Sequence, residues 1–160
     1  MRIALLTLAL AAVAFGQGQK DLDEANTPHR SAKIMQMSTP QLVAVLKSPS
    51  SGDFEKAKAC QRLGVVGDAS AVPALAALLG DETLSHYART ALEPNSSPEA
   101  DAALRNALPK LKGDLLIGVI NSIGRRKDPK ALDALAKLRH GDSLTVTQAA
   151  EAAIGRIRSP

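Results

Sequence analysis

Arg125, Arg126 and Lys127 stand side by side in this 160-residue chain, and Arg156 and Arg158 lie 31 residues beyond the first and third of them. Guanidinium and ammonium groups supply many hydrogen-bond donors and no acceptor, so the chemistry such a cluster can do is to hold anions. The surrounding charge agrees. Residues 1–104 carry 9 Lys/Arg against 11 Asp/Glu, and residues 105–160 carry 11 against 5, so the net charge of +4 divides into −2 and +6. That asymmetry suits an acidic protein, nucleic acid or an anionic surface, and a solvated face is the plain alternative. Nucleic acid fits worst, because two Phe, one Tyr and no Trp leave nothing on which bases could stack. An acidic protein partner or an anionic envelope surface is the expectation.

Other chemistry finds no foothold. His29, His86 and His140 stand apart, with no His or Cys at ligand spacing. Cys60 in "EKAKACQRLG" is the single cysteine; it falls beside Ala59 and Leu63 and reads as a buried small hydrophobe. A reactive thiol would need a nearby base, and the local side chains are Lys and Arg. No G-x-S-x-G elbow and no Cys/His pairing is present. The carboxylate pairs Asp21/Asp23 and Asp81/Glu82 fall in a polar leader and at a helix start, where capping explains Asp81. No catalytic, cofactor-binding or metal-ligating residue is assigned, and no cofactor is expected.

The elements that would carry the five cations can be read from punctuation. "STPQLVAVLKSP" opens on Thr39 as N-cap with Pro40 at the first helical position, and "SPSSG" at 48–52 ends that helix. Asp53, Ser70, Ser97 and Asp128 each precede a helical run as N-cap candidates, with Pro98 and Pro129 following two of them. Thr145 and Gln148 form a capping-box pair for a last helix, and Pro109 marks a break. Apolar residues make up 45% of the chain and aromatics 2%, so Ala and Leu supply a core suited to close-packed helices.

These helices repeat. "GVVGDASAVPALAALL" at 64–79 aligns without a gap on "GRRKDPKALDALAKLR" at 124–139, keeping Gly, Asp, Ala, Ala, Leu, Ala and Leu. Leu63, Leu92, Ile123 and Ile154 mark equivalent helix ends at spacings of 29, 31 and 31 residues, with Leu75, Leu104 and Leu135 on the partner helices. Gly64, Gly124 and Gly155 follow three of those ends and suit left-handed helix termini. A unit of about 30 residues built as helix–turn–helix signals an α-solenoid. Val146, Ala149, Ala150, Ala153, Ile154 and Ile157 form one apolar stripe, as a terminal cap requires. Equivalent turns would then lie side by side, gathering Arg125, Arg126, Lys127, Arg156 and Arg158 into one exposed basic edge. The matching positions of the first unit are Val65, Val66 and Gly67, so the edge is graded along the array.

The stretches "AVPALAALLGDETLSHYARTALEP" and "LIGVINSIGRRKDPKALDALAKL" resemble short bacterial HEAT-like repeats of the phycobilisome-lyase type. The resemblance covers about residues 53–158 and departs from the pattern at Glu93–Pro98. It implies an all-α fold, a right-handed α-solenoid of about three to four HEAT-like helical hairpins. Such repeats mostly present surfaces to other proteins, which implies a non-enzymatic protein-binding or scaffold module. Some members resemble chromophore lyases, which gives the alternative of an accessory or lyase-like protein handling a chromophore or cofactor.

The start of the chain reads as an export signal. In "MRIALLTLALAAVAFGQGQ", Arg2 precedes an apolar run from Ile3 to Phe15, with Ala14 and Gly16 placed for cleavage before Gln17. The run is shorter than the roughly 20 residues of a membrane span, and an uncleaved anchor is the alternative. No Cys follows it, which excludes a lipoprotein anchor. The expected organisation is a signal peptide at 1–16, a polar and mostly irregular leader at 17–38, and a repeat domain at 39–160. Its units are about 53–80, 81–112 and 113–141, closed by a cap helix at 144–158. The expected location is periplasmic or secreted, with no membrane span in the mature chain.

Overall fold

In a computed structural model of the chain, residues 30–159 are described. Every regular element among them is helical. Besides a helical stretch at residues 30–35, they are α1 (Thr39–Lys47), α2 (Asp53–Val66), α3 (Val72–Ala76), α4 (Ser85–Leu92), α5 (Pro98–Ala107), α6 (Gly113–Arg126), α7 (Leu132–Leu138) and α8 (Leu144–Arg158). Single 3-10 turns at Ala69–Ala71 and Pro129–Ala131 lead into α3 and α7, and one at Leu108–Lys110 follows α5. The chain divides into two compact units, residues 1–33 and 34–160. Of the first, residues 30–33 are described, and they are helical. The expected signal peptide, and most of the expected leader, lie outside the described residues. The core reaches into that leader, for Ile34 is buried.

The helix starts follow local polar chemistry, at positions shifted from those expected at several sites. Ser38, rather than Thr39, caps α1; its backbone N–H donates to Gln41 Oε1 at 2.9 Å. Gly52 precedes α2 and places Asp53 in the first turn. Asp68, two residues before Ser70, accepts the Ser70 N–H at 2.9 Å. Ser143 caps α8, accepting the Val146 N–H, in place of the Thr145–Gln148 pair. Each of these neighbours has an equally good capping side chain or a freer backbone, and spacing alone does not choose between adjacent residues. Ser97 before α5 and Asp128 before the Pro129 turn stand where expected, and Asp128 Oδ1 accepts the Lys130 N–H at 3.0 Å. Asp81 caps as expected too, accepting the N–H groups of Thr83 and Leu84.

Packing follows the repeat spacing. α2 packs on α4, α4 on α6 and α6 on α8, while α1 packs on α2, α5 on α6, α7 on α8, and α3 on both α4 and α5. Leu63, Leu92, Ile123 and Ile154 from the first series, and Leu75, Leu104 and Leu135 from the second, are all buried in one core cluster. On α8, Val146, Ala150, Ala153 and Ile154 are buried while Gln148, Glu151, Arg156 and Arg158 are exposed. Among the described residues, no helix is long and apolar enough to cross a membrane.

The glycines do a different job from the one expected. Gly64, Gly124 and Gly155 lie inside their helices, and the left-handed C-cap of α6 is Lys127, with φ at 53°. A Cβ built on Gly64 would stand 3.5 Å from Ala91 Cα, and one on Gly124 would stand 2.9 Å from Ala153 Cα. Glycine here lets consecutive helices of the first series approach backbone to backbone. Gly155, on the last of them, has nothing within 4 Å of its Cβ position. Gly124→Ala gains about 1 kcal/mol of helix propensity. It must also push against a backbone, a strain of about 1–3 kcal/mol. We therefore expect thermal melting to show Gly124→Ala lowering the midpoint and Gly155→Ala leaving it unchanged or raising it; equal shifts would refute the close-approach role.

Candidate functional site

The turns that follow α2, α4, α6 and α8 are tied to one another in order. Asn95, buried in the turn after α4, donates from Nδ2 to the Asp68 carbonyl oxygen at 3.0 Å. Its Oδ1 accepts the Ser97 N–H at 3.0 Å, which orders the "EPNSSP" stretch where the repeat pattern breaks. Arg126, at the end of α6, reaches back into that same turn. Its guanidinium donates to the carbonyl oxygens of Leu92 (2.7 Å), Glu93 (2.9 Å), Asn95 and Ser97, and pairs through Nε with Asp101. Helix ends leave carbonyls without partners, and a planar guanidinium can satisfy several at once. Arg105 on α5 pairs with the buried Asp128 of the turn after α6. Lys127 Nζ donates to the Ser159 carbonyl oxygen at 3.1 Å.

Of the five cations expected on an exposed edge, four are exposed: Arg125, Lys127, Arg156 and Arg158. Arg126 is not. Its side chain is 8% exposed, because the orphan carbonyls after α4 draw it inward. Sequence spacing places it on the turn but carries no information about which way it faces.

Arg125 and Arg156, from α6 and α8, both line a cleft of about 400 Å³, along with His86, Arg89, Thr90, Glu93, Asp114, Ile117, Gly118 and Asn121. The third guanidinium, Arg89 on α4, is half-buried and lies over Gly118. A Cβ at Gly118 would stand 2.6 Å from Arg89 Cζ, so a side chain there would displace the guanidinium. Arg89 Nη1 donates to Gly118 O at 3.2 Å and Ser122 Oγ at 3.5 Å, while its Nε is buried with no partner. Burial pushes the Arg89 guanidinium below the usual arginine range; Glu93 opposes that shift and Arg125 adds to it. Glu93 Oε2 accepts from Arg125 Nη1 at 2.9 Å, and Glu93 Oε1 accepts the Ser122 hydroxyl proton at 2.8 Å. Arg156 Nη1 donates to the neutral Asn121 Oδ1 at 3.3 Å.

Three guanidinium groups thus meet two carboxylates, Glu93 and Asp114. Such an arrangement can hold one further anionic oxygen group. Arg89, Asn121 and Ser122 were not singled out in the sequence, and Glu93 was noted only as the start of the break in the repeat pattern. Arg89 and Glu93 stand four residues apart on one helix face, which is the signal that could have found them. The 31-residue period could not, since Arg89 falls out of register with Arg125 and Arg156.

The other candidates resolve by burial. Cys60 is 0% exposed and burial pushes its thiol up to about 12, so it is inert at neutral pH. The His86 ring packs edge-on against Tyr87, with centroids 5.6 Å apart. His140 is exposed, and His29 lies outside the described residues. A second cleft, of about 630 Å³, runs between α3 and α5; Val72, Ala76, Ala103, Ala107 and Leu111 give it an apolar lining, with Glu99 and Lys110 also present. No protein-family model matches the sequence, and no curated protein sequence matches it.

Proposed function

We propose that the chain is an exported, non-enzymatic module of HEAT-like repeats, a right-handed α-solenoid that binds an acidic protein through its edge of turns. The supporting observation is the convergence of Arg89, Arg125 and Arg156 on one cleft, together with the exposed Lys127 and Arg158 at the ends of α6 and α8. The stepwise packing of α2, α4, α6 and α8, with tied turns, is the arrangement that stacked hairpins require. The alternative, an accessory or lyase-like protein handling a chromophore or cofactor, is favoured by the apolar cleft between α3 and α5. Against it stands the burial of Cys60, the one thiol in the chain that could attach such a group.

The test is capture of a partner from the producing cell's envelope fraction, followed by association of the two purified proteins at low and physiological salt. Exposed charges are screened over about 8 Å at physiological salt, so association should slow as salt rises. Reversal of Lys127 and Arg158 together, neither of which lines the cleft, should slow association several-fold, with dissociation little changed. Arg126 is left out of that set because it holds the turn after α4. A partner whose binding ignores both salt and charge reversal would refute the acidic-partner reading.

A further inference from the structure

We propose that the cleft between α4, α6 and α8 receives a carboxylate side chain from an acidic segment of the partner, bound beside Glu93, which competes with it for Arg125. The inference rests on the acidic-partner reading and names the site and the group it takes.

Counting charge selects the ligand. Arg89, Arg125 and Arg156 bring three positive charges to the cleft, and Glu93 and Asp114 remove two, leaving one uncompensated cation. A single carboxylate neutralises that excess, whereas a phosphate dianion would overshoot it beside two resident carboxylates. Donor capacity agrees. Among the described residues, Arg125 is the one guanidinium of the three in an ion pair, and that is with Glu93. Arg89 and Arg156 bond only to neutral oxygens. Arg89 Nε is a buried donor without a partner, packed over Gly118, a state that costs free energy. The helix surface opposite is cut away at Gly118, which keeps Arg89 flat and in place.

Glu93 is held as a ligand would be. Ser122 donates to one oxygen and Arg125 to the other, at 2.8 and 2.9 Å. Glu93 replaces the glycine found at the equivalent helix end in the units around it, Gly64 and Gly124. An incoming carboxylate competes for Arg125 and adds Arg89 and Arg156, so removing the resident charge should strengthen binding.

The experiment uses a capped hexaglutamate peptide as the probe, a capped hexaglutamine peptide and inorganic phosphate as comparison ligands, and the whole chain. Binding is measured by calorimetry, and the arginine Nε–H resonances are followed by NMR. Hexaglutamate should bind, shift the Arg89 resonance, and outcompete phosphate; hexaglutamine should not bind. Arg156→Gln, on an exposed side chain that leaves the fold alone, should weaken hexaglutamate at least about tenfold. Glu93→Gln should tighten it several-fold. Weakening in Lys127→Gln/Arg158→Gln but not in Arg156→Gln would overturn the cleft while leaving the acidic edge standing. Binding indifferent to every one of these variants would overturn both. Phosphate binding more tightly than hexaglutamate would overturn the carboxylate assignment.

Discussion

Arg126→Ala is expected to destabilise the fold by about 3–5 kcal/mol, the cost of removing one partner from a buried charged pair. Its guanidinium is nearly enclosed, and it satisfies carbonyls of Leu92, Glu93, Asn95 and Ser97 while neutralising Asp101. Alanine would leave those carbonyls without their donor, and Asp101, 26% exposed on α5, without its cation. A small domain has about 5–15 kcal/mol in total, so the loss is a large share. Arg126→Lys keeps the charge but cannot reach several carbonyls with one ammonium, so it should restore only part of the loss. Arg125→Ala, one residue earlier, removes a side chain that is 67% exposed and should cost about 1 kcal/mol or less. Denaturant titration of the three variants decides the matter. Similar midpoints for Arg126→Ala and Arg125→Ala would show that the buried guanidinium does not hold the turn.

That pair of neighbours also shows where sequence stops being informative. The 29- and 31-residue spacings of Leu63, Leu92, Ile123 and Ile154 report a periodic core, and all four are buried because apolar burial repeats with the backbone. The helical class was legible for the same reason. The direction of a single arginine was not, because it depends on which carbonyls a distant turn leaves unsatisfied. The break at Glu93–Pro98 looked like a flaw in the pattern, yet it supplies both the carbonyls that draw Arg126 in and the carboxylate that sits in the cleft. The helix-end glycines were legible as important but not in role. A glycine that ends a helix and one that admits a neighbouring backbone look alike in one sequence; what separates them is that a Cβ on Gly124 would stand only 2.9 Å from Ala153 Cα. Arg89 was missed because its partners, Gly118 and Ser122, lie on another helix.

Leu135→Ala is expected to cost about 2–5 kcal/mol, through lost burial and the cavity left behind. Leu135 on α7 is 0% exposed, as are Leu75 and Leu104, and all three belong to the same core cluster. Lys137, two residues on along the same helix, is exposed and its substitution by alanine should cost about 0.5 kcal/mol or less. The proposed repeat architecture adds a second expectation. Stability in stacked hairpins is a sum of unit and neighbour terms, so damage in the last hairpin should loosen that hairpin first. Hydrogen exchange in Leu135→Ala should therefore quicken across residues 132–158 more than across 53–92. Uniform quickening along the whole chain would mean that the helices unfold as one cooperative body and that the repeat picture of its energetics is wrong.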